Sequence, residues 1–255
     1  MWRPKKVMEQ RNTNSSRLIK ASERLYYLPY EEETDRPNLY YIRGDDYAVA
    51  VDAGNSEAHV RKFYEAIQAM GFELPRYTFI SHWHWDHTFG LHAIKGMSVS
   101  TSLCHDKLSE VAGWEWSREA MNRREETGED IPFCTEHILK EYPDLSQIKV
   151  VETDACLDEE LILDAGGIRI RMIPRDSTHS RDALFVYLPE EKALIVQDAD
   201  CEDFYHGAVY DRDRLRDMIA FFEALDYEDH YLGHAEKESK AEALRRLKDI
   251  ESGLE

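Results

Sequence analysis

The sequence predicts an α/β (α+β) fold in which two β-sheets pack face to face with helices outside. Strands and helices alternate in two similar halves, with no short-period repeat and no low-complexity tract. The 255 residues suit one large domain or two small ones, and 42% hydrophobic residues supply a core without staples. Residues 1–19 read as a flexible arm and 20–255 as a single domain.

The first elements follow from alternation and turn chemistry. A short aromatic-rich run, Arg24 to Leu28, precedes an acidic turn through Glu31, Glu32, Glu33 and Asp35. Asn38 to Arg43 and Tyr47 to Val51 flank Gly44-Asp45-Asp46 and read as a β-hairpin, which Asp52-Ala53-Gly54 ends. Val60, Phe63, Tyr64 and Ile67 fall at helical spacing within Glu57 to Met70, with Gly71 as the stop. Tyr77 to Ile80 is a short apolar strand.

From about 103 to 141 strand signals thin out and charges rise around Trp114 and Trp116. A helical excursion is expected there, with a loop at Gly128 to Pro132. Strands resume at Ile148 to Val151, Glu160 to Leu163 and Ile168 to Ile173. Ala183 to Leu188 and Ala193 to Val196 form a second hairpin around Pro189 to Lys192. Arg212 to Leu225, with Leu215, Met218, Ile219 and Phe222 on one face, and Ala241 to Ile250 are the closing helices.

Composition removes several function classes. No stretch approaches the ~18 apolar residues that span a bilayer, so a membrane protein is not expected. Met1 to Lys20 is basic and polar, without the apolar run of a secretory signal; a transit peptide is the minor alternative. Cys104, Cys134, Cys156 and Cys201 form no C-x-x-C pair, which argues against a thiolate site or a disulfide framework and fits a reducing cytoplasm. A net charge of −19 repels phosphate backbones, so a small molecule is a better substrate class than nucleic acid.

Ser81-His-Trp-His-Trp-Asp-His87 carries the chemistry. In extended geometry His82, His84 and Asp86 project to one side and Trp83 and Trp85 to the other. Imidazoles and a carboxylate suit zinc, iron or manganese. Adjacent Asp86 and His87 do not easily reach the ion chosen by His82 and His84, so a second metal or distant ligands are expected. His179, Asp198 and His234 each stand just beyond an apolar strand, where loops on a rigid scaffold commonly carry catalysis.

H-x-H-x-D-H after a strand, then a lone His, an Asp and a final Gly-His, resembles the metallo-β-lactamase superfamily over roughly residues 20 to 240. The resemblance implies an αββα sandwich with metals at one edge of the sheets. By position, it implies that His82, His84 and His179 hold one metal and Asp86, His87 and His234 a second, with Asp198 bridging. Gln197 stands where the family usually has Gly, and Asp200 is the alternative bridge.

Among other candidates, Tyr205, Tyr210, Arg181 and Trp114 are weighed as substrate contacts against ordinary packing and surface ion pairs. Trp116, Arg175 and His206 stand in the same balance. His105 is a candidate to approach the metals from the excursion, whereas His59, His92, His137 and His230 read as surface or core histidines.

The expected activity is a binuclear metal-dependent hydrolase, with two divalent ions, Zn2+ before Mn2+ or Fe2+. A metal-bridging hydroxide would attack a small ester, thioester, lactone or phosphodiester. Asp86 would bind a metal and also orient the nucleophile or move its proton. Two alternatives stand beside it: a mono-iron enzyme like the persulfide dioxygenases, and a non-catalytic metal-binding protein. The excursion would serve as a lid or as a homodimer contact.

Overall fold

Alternation along the strands decides the layering. In the computed structural model, which describes residues 17–254, β1 (Ile19–Lys20), β2 (Leu25–Leu28), β3 (Leu39–Arg43) and β4 (Ala48–Val51) form an antiparallel meander. Tyr40, Ile42, Val49 and Val51 face one way and Leu39, Tyr41, Ala48 and Ala50 the other, as a period of two requires. Both faces are apolar because both are covered. The parallel strands β5 (Tyr77–Phe79), β6 (Met97–Ser100) and β7 (Ala155–Cys156) complete a seven-stranded sheet.

The second sheet has six strands. β8 (Leu161–Asp164), β9 (Arg169–Pro174), β10 (Leu184–Leu188) and β11 (Ala193–Gln197) run antiparallel, β12 (Asp229–Leu232) pairs parallel with β11, and β13 (Glu238–Ser239) closes the edge. Leu184, Val186, Leu188 and Ile195 meet Tyr40, Val49 and Phe79 between the sheets. The outer face of the first sheet packs on Phe63, Ala66 and Ile67 of α1 (Glu57–Ala69). Phe185, Tyr187, Leu194 and Val196 on the outer face of the second pack on α6 (Arg212–Ala224) and α7 (Lys240–Gly253). The layers therefore read helix, sheet, sheet, helix, as expected.

The excursion comprises α3 (Ser102–Ala112), α4 (Arg118–Thr127) and α5 (Pro132–Glu141). Gly128 ends α4 at φ 77° and Pro132 opens α5, the expected punctuation. Two expectations change. Ile148 to Val151 is not a strand; Ile148 and Val150 instead pack beside Trp85, Phe89 and the excursion helices. The strand in that position is β7, and β6 was not anticipated at all. In β6 the small polar Ser98 and Ser100 are buried, bonded to Asp154 and Thr153, so apolar alternation is muted.

Of the expected N-terminal arm, residues 1–16 lie outside the described residues. Leu18 is buried under the first sheet and Ile19 pairs with Tyr27. Among the described residues no helix is long and apolar enough to cross a membrane.

Candidate metal centre

Asp52, the His82–His87 segment, Asp198 and His234 follow the C-terminal ends of β4, β5, β11 and β12, and His179 stands in the loop between β9 and β10. β4 and β5 run parallel, as do β11 and β12, so these ends meet at one edge of the sandwich. The extended reading of the histidine segment fails after His84. Trp85–Thr88 forms a single helical turn, α2, with His84 at its N-cap position. The turn brings Asp86 and His87 together with Asp198 and His234, and Trp85 is buried against Phe89.

Two groups of donors result: His82, His84 and His179 in one, and Asp86, His87, Asp198 and His234 in the other, each with its ligand atoms within 4.8 Å of one another. His84 Nδ1 lies 2.9 Å from His179 Nε2. His82 Nε2 is buried with no hydrogen-bond partner. In the second group Asp86 Oδ2 lies 3.0 Å from His87 Nε2 and 2.9 Å from His234 Nε2. Asp198 Oδ2 lies 3.3 Å and 3.4 Å from the same two nitrogens.

The far side of each ring is tied down where its other nitrogen has a partner. His87 Nδ1 meets Asp52 Oδ2 at 2.7 Å, Ser81 Oγ lies 3.0 Å from His82 Nδ1, and His179 Nδ1 lies 2.8 Å from the Glu202 carbonyl. Asp52 also accepts from the Ser81 amide and hydroxyl at 2.7 and 2.9 Å. Such outer partners fix tautomer and ring orientation in metal sites. Each leaves the other nitrogen turned toward its donor group.

Charge balance separates the groups. Burial pushes His82 and His84 well below the usual imidazole range, so both are neutral donors. Burial also opposes charge on His87, yet Asp86, Asp52 and Asp198 push it well above that range. Against burial, Asp198 and Asp35 raise His234 to about 9, while His87 and His234 hold Asp86 well below the carboxylate range. In the second group protons thus occupy the role that a divalent cation would take, and binding would release them. An unpartnered buried imidazole nitrogen, neutral histidines and converging carboxylates fit two metal sites.

Asp200 does not join the groups. It is bonded to His230 Nε2 at 2.9 Å and to Arg246 at 2.6 Å, which hold it low despite its burial. Tyr205 lies against the first group, its ring 5.0 Å from those of His84 and Trp83, with its hydroxyl donating to Asp130 at 3.3 Å. Tyr210 turns its hydroxyl to Glu202 at 3.2 Å. Trp114 stands one layer back: Lys107 Nζ lies 5.1 Å from the Trp83 ring and 5.6 Å from that of Trp114. Arg181 is exposed and Arg175 lies over Phe221. His206 pairs with Asp203, His105 with Thr153, and His59 is fully buried. His92 and His137 bond to the carbonyls of Phe89 and Phe133.

Sequence reasoning missed Asp52, Ser81, Asp35 and Phe204, whose ring lies 5.5 Å from that of His179. Asp52 carried the same signal as the ligands, a carboxylate just past an apolar strand. Asp35 carried none, being one acid in an acidic turn.

The family model of the metallo-beta-lactamase superfamily matches residues 34–234. The chain belongs to that superfamily. Solved superfamily folds agree. A metallo-beta-lactamase from Pontibacter korlensis superposes with a TM-score of 0.63 at 14% identity, covering 93% of this chain and 99% of that one. One from Cronobacter sakazakii, with a mutated HARLDQ motif, gives 0.65 at 14%, covering 91% and 94%. The inverting sec-alkylsulfatase Pisa1 from Pseudomonas sp. gives 0.64 at 15%, covering 92% of this chain but 41% of the longer enzyme. None of the curated proteins matches in sequence. At these identities the likeness is one of fold within the superfamily.

Proposed function

We propose that this protein is a binuclear metal-dependent hydrolase acting on a small ester, thioester, lactone or phosphodiester. One observation carries the reading: two donor groups share one edge, with a single Asp86 oxygen 3.0 and 2.9 Å from two histidine nitrogens. His82, His84 and His179 would hold one cation and Asp86, His87 and His234 the other, with Asp198 as the bridge. When bound, such cations supply Lewis acidity that brings a water's pKa down to about 7.

The chain's own residues do the rest. Asp86, besides holding a cation, orients the attacking water and passes its proton on to the leaving group. Trp83, Tyr205 and Phe204 pack around His84 and His179 and give an apolar wall for the acyl or alkyl part of the substrate. The net charge of −19 favours a small substrate over a nucleic acid. The four cysteines are all free, in keeping with a reducing cytoplasm.

Metal analysis of the protein purified without a histidine tag should find about two zinc or manganese ions per chain. Asp86→Ala and His84→Ala should each lower turnover on the order of 10²–10⁴-fold while the circular dichroism stays native. The substrate screen should include sec-alkyl sulfates beside esters, thioesters, lactones and phosphodiesters. Near-native turnover in either variant, or no metal retained or restored, would sink the assignment. A single iron per chain would move it to oxygen chemistry.

A further inference from the structure

Four ring nitrogens on the outer side of the donor groups face a partner. Three of these partners are built into the strand ends and loops already described: Asp52, Ser81 and the Glu202 carbonyl. The fourth comes from elsewhere. Asp35 Oδ1 lies 3.6 Å from His234 Nδ1, at ion-pair distance, while His234 Nε2 faces Asp86 and Asp198. We infer that Asp35 is a positioning residue for the second metal: its carboxylate orients His234 electrostatically so that Nε2 meets the cation, at a longer range than the 2.7 Å hydrogen bond by which Asp52 holds His87. This rests on the reading of His234 as a ligand.

The local structure around Asp35 is more elaborate than an exposed acidic turn needs. A 3-10 turn, Glu32–Thr34, brings the chain to Asp35 at φ 54°, a left-handed conformation uncommon outside glycine. Glu31 and Arg36 close the loop with two backbone hydrogen bonds at 2.9 and 3.0 Å. The Thr34 carbonyl accepts from Asn55 Nδ2 at 2.8 Å, and Arg36 bonds Glu141 of α5 at 2.7 Å. Each residue flanking Asp35 is therefore anchored to a different element. His234 needs this support most, since with 28% of its side chain exposed it stands at the mouth of the site, whereas the His87 side chain is fully buried.

The test is metal affinity. Metal-free full-length protein is titrated with Co2+ or Zn2+ against a chromophoric chelator for wild type, Asp35→Asn, Asp35→Glu, His234→Ala and the Asp35→Asn/His234→Ala pair. Loss of an outer partner typically costs 10–100-fold in affinity. Asp35→Asn should weaken one of two sites by that factor, leave the other unchanged and alter the visible spectrum of the weaker cobalt site. Asp35→Glu should recover part of the loss. In the His234→Ala background Asp35→Asn should add nothing.

Two wild-type affinities in Asp35→Asn would overturn the inference. So would a drop in the melting temperature of metal-free Asp35→Asn with unchanged affinity, or an undiminished effect in the His234→Ala background. If wild type itself binds no metal, it is the binuclear reading that fails, and the titration of wild type separates the two.

Discussion

Gln197 shows two opposed effects at one residue. It sits at φ 53° in a bulge of β11, directly before Asp198, and strain in this region costs on the order of 1–2 kcal/mol for a side-chain-bearing residue. Its amide donates to the Asn38 carbonyl at 3.1 Å, a buried bond worth about 1 kcal/mol. A glycine would relieve the strain, lose that bond and add roughly 0.5–1 kcal/mol of unfolded-state entropy. Denaturant melts of Gln197→Gly should therefore find it no more stable than wild type; a clear gain would mean that the bond contributes little. Asp200 is a simpler case. It is buried against Arg246 and His230, and breaking a buried pair from one side costs about 3–5 kcal/mol. Arg246→Met should lose stability on that scale, and a loss under 1 kcal/mol would assign the charge to His230 and solvent.

Between elements, the Asp52-Ala53-Gly54 turn closely approaches Gly90, just beyond α2. The Gly90 amide donates to the Gly54 carbonyl at 3.0 Å, and a Cβ on Gly90 would stand 2.0 Å from the Ala53 carbonyl oxygen. Backbone cannot yield as a side-chain tip can. Gly90→Ala should displace α2 relative to Asp52, costing roughly 1–3 kcal/mol and lowering metal content; native melting and native metal content would show the turn to be slack. Legibility divides along similar lines. The β3–β4 hairpin and α1 were readable because Val60, Phe63 and Ile67 repeat at helical spacing and the strands flank a Gly-Asp turn. β6 was not, since its buried partners are serine hydroxyls. The seven donors were readable from residue type and position after strands. The helical turn at Trp85–Thr88 was hidden because four residues are too few to show a period. Asp35 was hidden because its role depends on a residue about 200 positions away, and a contact at that separation leaves no local pattern.

For the molecule as a whole, acid stability turns on imidazoles sealed in the fold. His59 is fully buried, both ring nitrogens lack partners, and burial pushes it well below its ordinary 6.5. In the unfolded chain it takes up a proton as pH falls through 6.5; in the fold it does not until far lower. Between those two points the unfolded state binds more protons, so stability is intact above 6.5 and declines as pH falls beneath it. Melts with divalent cation present should drop from about pH 6.5 downward, and His59→Gln should flatten that slope. An unchanged slope would assign the acid sensitivity to other groups.

His82, His84, Asp86 and His87 follow the first sheet, while His179, Asp198 and His234 follow strands of the second. Neither half of the chain carries a complete group. A seated cation is therefore a clasp between the sheets, and at a hundredfold excess over its dissociation constant it would add about 2.7 kcal/mol to the folded state. Its loss would be felt first as a shortened lifetime: in a cell starved of divalent ions, the unclasped chain is the form that proteases would reach.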